Sequence, residues 1–224
     1  MAQQTAVLID GGFFIKRMRK ISPSNAFDAI FMAKQAWEFA MAHLSNAGTR
    51  DDLYRIFFYD CAPLQKKMHN PISQKAIDFS KSKEAVFRLA LHQELMTKRK
   101  MALRLGKLSP DVQWTFKPQV AELLMKGKMA LTALTEDDVI PSFRQKGVDM
   151  RIALDIASIT LKKQADRIIL MAGDSDFVPA AKLARREGID FILDPMWHPI
   201  PNDLFEHIDG LRSVCPKPTR LVTP

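Results

Sequence analysis

The sequence predicts an α/β fold, a three-layer sandwich around a central, mostly parallel sheet. Three observations carry that reading: short continuous apolar runs recur, they alternate with stretches of helical apolar period, and runs end on or just before aspartates. A run that is apolar at every position is buried on both faces, as strands are when helices cover both sides of a parallel sheet. The first run, residues 5–9 (TAVLI), is bounded by Asp10-Gly11-Gly12, where the chain is expected to turn. Residues 27–44 carry Ile30, Ala33, Trp37, Ala40 and Leu44 at helical spacing, followed by Asn46 and Gly48 as stop signals.

Residues 53–59 (LYRIFFY) form a second run that closes on Asp60, and Pro63 and Pro71 bracket a loop. Residues 81–104 read as one helix, apolar at Val86, Leu89, Ala90 and Leu95, with Lys98, Arg99 and Lys100 near its end, where cations suit the helix dipole. Residues 112–116 (VQWTF) alternate like a strand, and the mixed polarity that follows marks a partly helical insertion around 117–145. Helical period returns at 148–163 with Ile152, Ile156 and Ile159. It is followed by a strand at 167–172 (RIILMA), a turn at Gly173-Asp174-Ser175-Asp176, a helix at 177–187 ended by Gly188, and a strand at 190–193. One domain is expected over 1–212, with 213–224 as a loose tail carrying three prolines.

Composition narrows the partners. Among 224 residues, 33 basic against 25 acidic side chains leave a net charge of +8, which attracts polyanions and makes nucleic acid the first partner to consider. Two cysteines, Cys61 and Cys215, are too few for a disulfide framework, no Cys/His cluster has zinc spacing, and a reducing cytoplasmic setting is expected. The first residues lack the basic start and long apolar core of a secretory signal, and no apolar run approaches the ~20 residues of a membrane span. No membrane partner is expected, and both a monomer and a homodimer are compatible with the composition. Lys98, Arg99, Lys100, Lys146, Arg185 and Arg186 are candidate contacts to a phosphate backbone, although each run equally suits a solvated helix face.

Ligands of open parallel sheets bind beyond the carboxyl ends of the strands. Asp10 follows the first strand, Asp174 and Asp176 lie just past 167–172, and Asp149 sits in the first turn of a crossover helix whose start faces the same edge. Singly, each has a structural use: Asp176 as a helix cap, Asp174 and Asp10 closing turns, Asp149 complementing the helix dipole. Together, carboxylates from three segments repel one another unless a cation neutralises them, which points to an oxygen-ligated Mg²⁺ or Mn²⁺ able to activate water against a phosphodiester. The histidines are scattered and read as structural or surface residues, and Trp114 and Trp197 flank loops, where packing is the commoner use and base stacking the other.

Val7-Leu8-Ile9-Asp10-Gly11-Gly12, Lys146-Gly147-Val148-Asp149 with Asp155 six residues on, and Ala172-Gly173-Asp174-Ser175-Asp176-Phe177-Val178-Pro179 through Arg185 and Gly188 resemble the motifs of NYN domains. Within that family the sequence resembles the LabA-like group of the PIN-like nuclease superfamily, and the resemblance runs from the first strand to Arg212. It implies a parallel sheet with an acidic metal site and a metal-dependent ribonuclease acting on single-stranded RNA. Asp10, Asp149, Asp174 and Asp176 would act as ligands and catalytic groups, with Asp155 and Ser175 supporting them. Gly12, Phe13 and Phe14 stand where the family often carries an Asn shortly after the first Asp. A catalytically silent RNA-binding or regulatory module is the alternative. A haloacid-dehalogenase-type phosphatase, similar only in its late Gly-Asp-Ser motif, ranks low because Gly12 occupies the place of the second Asp that chemistry requires.

Overall fold

The computed structural model describes residues 3–46, 49–109, 111–142 and 145–218. Its first strand, β1 (Gln4–Asp10), runs straight into helix α1 (Gly11–Ile21), with the Asp10 side chain accepting the Phe13 N–H at 3.1 Å as the helix cap. A helix therefore replaces the turn expected at the two glycines. Gly11 must be glycine for a packing reason, because a Cβ there would lie 2.6 Å from the Tyr59 carbonyl oxygen and 2.5 Å from the Phe58 ring. Phe14, Ile15 and Met18 give α1 its buried stripe.

Helix α2 (Ala29–His43), capped by Asp28, returns the chain to β2 (Asp52–Cys61). Helix α3 (Lys83–Met96) stops well short of the expected Arg104: the chain turns at Lys98–Lys100, Lys100 adopts a left-handed φ of 61°, and Met101–Leu108 form strand β3. The Met, Ala, Leu, Arg and Lys of that segment favour helix locally, and pairing with β2 overrides the propensity. Then come β4 (Gln113–Phe116), α4 (Pro118–Met125) and β5 (Val139–Ser142), with β4 and β5 forming a separate antiparallel ribbon. Strand β6 (Gln145–Lys146) leads to α5 (Val148–Leu161), β7 (Arg167–Met171), α6 (Val178–Arg186), β8 (Asp190–Asp194), α7 (Asn202–Phe205) and β9 (Gly210–Leu211).

The main sheet has seven strands in the order β6-β3-β2-β1-β7-β8-β9, with only β6 antiparallel to its neighbour. β1 is fully enclosed. Ala6 and Leu8 join the core under α5 and α6, while Val7 and Ile9 join the core under α1, α2 and α3. The three-layer sandwich read from the sequence is what the chain adopts. Beyond Arg212, where a loose tail is expected, the backbone is still anchored: Cys215 is buried and its carbonyl accepts the Trp197 indole N–H at 2.8 Å. Residues 219–224 lie outside the described residues. No helix among the described residues is long and apolar enough to cross a membrane.

Gly11→Ala should lower unfolding free energy by about 2 kcal/mol, because the backbone carbonyl of Tyr59 cannot swing aside as a side chain would. Urea denaturation of the two proteins measures the difference; equal midpoints would mean that α1 shifts without cost.

Candidate functional site

Strand order reverses at β1: the chain builds outward through β2 and β3, then returns to β7 on the other side and continues to β8. The two directions of winding put helices on opposite faces and leave a crevice at the carboxyl ends of β1 and β7, the usual ligand position in such sheets. Asp10 ends β1 there. Leu8 faces the α5 side, and alternation carries Asp10 to the same side. Burial pushes its carboxyl up to about 6, and the charge of Asp149 adds to the shift, against the lowering effect of the Phe13 and Gly12 N–H groups.

Asp149 lies in the first turn of α5. Its carboxyl is also raised, by burial first and then by the charges of Asp174 and Asp176. Asp174, exposed just past β7, caps the short turn Ser175–Phe177 by accepting the Asp176 N–H at 3.2 Å. The cap expected of Asp176 thus belongs to Asp174. Asp10, Asp149, Asp174 and Asp176 form an electrostatically linked row at one edge. The donors are all hard carboxylate oxygens, suited in kind to Mg²⁺ or Mn²⁺. Their spacing is open, since among the described residues no three His, Cys, Asp or Glu side chains stand close enough to share one ion.

The other candidate residues fall elsewhere. Asp155 accepts the Tyr59 hydroxyl at 2.8 Å and lies 3.4 Å from Arg104 Nε, so it binds α5 to β2 and β3 and does not join the row. Ser175 is in the capped turn. Lys98, Arg99 and Lys100 precede β3, and Arg185 and Arg186 end α6 ahead of β8, which places both groups at the amino edge of the sheet, opposite the acids. Arg185 is also occupied, pairing with Asp209 at 2.8 Å. The backbone of Lys146 in β6 leads into α5 on the acidic side, while its side chain and Arg144 lie outside the described residues. Asp60, another strand-end acid, is withdrawn on the α3 side, where Arg88 and His92 bind it. A 280 Å³ apolar hollow lined by Cys61, Phe79, Ala85 and Leu108 lies over β2 and β3 and is not lined by the acids.

Sequence reasoning missed the flank of the site. His198 packs against Phe13 with ring centres 6.1 Å apart, and both rings press on Gly173, where a Cβ would meet Phe13 at 2.7 Å and His198 at 3.3 Å. Burial and the charges of Arg17, Lys20 and Lys16 lower the His198 pKa. The available signal was Lys16 and Lys20 at i,i+4 after Asp10, which the two glycines disguised as a turn.

Comparison with known families bears on this edge. Residues 113–199 match the NYN domain. The NYN match takes in Asp149, Asp174, Asp176 and His198, and leaves β1 with Asp10 outside it. A crystal structure of a protein of unknown function from Vibrio parahaemolyticus is similar at 16% identity and a TM-score of 0.47, covering 96% of this chain and 94% of that one. No curated protein matches the chain.

A carboxyl raised in the folded state binds its proton there while the unfolded chain has released it. Native stability therefore falls as pH rises from about 4 to about 6. Asp10→Asn keeps a good helix cap and removes the charge, so its melting temperature should exceed that of wild type above pH 6, with the gap closing below pH 4. A gap independent of pH, read by thermal denaturation across that range, would contradict the assigned origin of the shift.

Proposed function

We propose that this chain is a metal-dependent ribonuclease of the NYN type, within it of the LabA-like group, hydrolysing phosphodiester bonds of single-stranded RNA at the carboxyl edge between β1 and β7. The observation that carries the reading is the row of mutually repelling carboxylates at the strand-order reversal, with Asp10 held up to about 6 partly by the charge of Asp149. The NYN match over 113–199 supports it, since NYN domains are PIN-like nuclease domains that act on RNA. Asp10, Asp149, Asp174 and Asp176 are the residues that would hold Mg²⁺ or Mn²⁺. A cation held there would supply an activated water and neutralise charge on the phosphate. Asp10 is kept in place by the Phe13 N–H, Asp174 by the Asp176 N–H, and Phe13 with His198 walls the crevice beside Gly173. The net charge of +8 draws in the polyanion. Cys61 and Cys215 are both buried and unpaired, as suits a reducing cytoplasm, and self-association is compatible with this function.

A catalytically silent RNA-binding module is the second reading, favoured by the absence, among the described residues, of three acids within reach of one ion. Cleavage separates the two. Purified protein with Mn²⁺ should cut a labelled single-stranded RNA, EDTA should stop it, and folded Asp10→Asn should lose about a hundredfold or more in rate. Mn²⁺ at a hundred times its dissociation constant should add ~2.7 kcal/mol of stability, and less in Asp174→Asn. Asp10→Asn cutting as fast as wild type would overturn the site, and no cutting with any divalent metal would leave the silent module.

A further inference from the structure

Directly after β8 the backbone does something costly. Met196 and Trp197 adopt left-handed φ values of 46° and 61° in succession, a conformation that non-glycine residues hold only where their surroundings dictate it. The surroundings here are unusually committed. Asp194, fully buried, accepts the Met196 N–H at 2.7 Å and pairs with His43 Nε2 at 2.8 Å. The buried Arg17 of α1 donates from Nε to the Met196 carbonyl at 3.0 Å. The Trp197 N–H reaches Ser213 Oγ at 3.0 Å, and its indole N–H reaches the Cys215 carbonyl.

All this bonding does not bury the indole. Trp197 remains 45% exposed, with Lys217 Nζ 5.4 Å from the ring centre. The next residue is His198, which stands with Phe13 against Gly173, one position ahead of Asp174. Lys16 and Lys20 lie exposed on α1, close enough for their charges to act on the His198 ring. A polar-anchored, half-exposed indole with Lys217 over one face, next in the chain to a histidine that feels Lys16 and Lys20 and adjoins an acidic crevice, has the makings of a single-strand binding surface: a base stacks on the ring face away from Lys217, and phosphates follow the cations.

We infer that the corner 195–198 is a stacking platform, on which an unpaired nucleobase lies against Trp197 while Lys16, Lys20 and Lys217 take the adjoining phosphates. The inference rests on the ribonuclease reading for what happens next to the platform, and it fixes the substrate as unpaired, since a base inside a duplex cannot offer its face to the indole.

Binding is measured in EDTA, so that no cleavage intervenes, by fluorescence anisotropy of a fluorescein-labelled single-stranded oligoadenylate and of a labelled RNA duplex. The informative variant is Trp197→Asn, because asparagine tolerates the left-handed backbone that the corner requires, and circular dichroism verifies its fold. Single-strand affinity should fall about tenfold, duplex affinity should hold, and Trp197→Phe should recover most of the loss. Lys16→Ala with Lys20→Ala, both on an exposed face, should flatten the salt dependence by about 1.4 in log–log slope, and Arg185→Ala with Arg186→Ala should leave it unchanged. Trp197→Asn binding the single strand within twofold of wild type, or losing duplex affinity equally, overturns the platform. No cleavage by wild type with any divalent metal instead overturns the ribonuclease assignment and leaves the binding result standing.

Discussion

The enclosure of β1 is the constraint on which the rest of the molecule depends. From Thr5 to Ile9 every residue is shut off from solvent, with one helical layer above and another below. A strand in that position cannot be an edge, so strands must be added on both sides of it, and right-handed crossovers then force the helices onto opposite faces. The crevice beyond Asp10 is a by-product of that winding. So is the convergence of acids from β1, from the start of α5 and from the turn after β7.

Charge is sorted accordingly. Acids that the fold can satisfy are satisfied: Asp60 by Arg88 and His92, Asp194 by His43, Asp190 and Asp51 by Arg167, Asp209 by Arg185. Asp10 and Asp149 differ: desolvation and nearby acids raise both, and among the described residues no cation pairs with either. Desolvated carboxylates facing one another cost stability, and here that cost falls at the crevice beyond β1 and β7.

Much of this was legible beforehand, for identifiable reasons. β1, β2 and β7 could be read because burial on both faces leaves an uninterrupted apolar run, and α5 because Ile152, Ile156 and Ile159 keep a helical period. The acids were legible because each directly adjoins such an element. α1 was hidden by glycines that serve close packing on Tyr59 and not a turn. β3 was hidden by residues that favour helix and take strand geometry only through pairing with β2. The basic runs misled for a different reason: charge in a sequence says nothing about which end of a sheet it reaches, and Lys98–Lys100 and Arg185–Arg186 reach the amino end. Trp197 was visible as a loop-flanking aromatic with stacking as its less common use, but the corner that holds it was not, since its partners, Arg17, His43, Ser213 and Cys215, come from distant parts of the chain.

Helix α1 is fastened at two points along its length. Its first turn is fastened to Asp10, and Arg17, about 10 Å further along the helix axis, is fastened to the Met196 carbonyl. A hydrogen-bonded helix of this length is stiff, so it behaves as a strut between the acid and the Trp197 corner. The interval from Asp10 to the Met196 carbonyl is thereby set by a fixed number of helical residues.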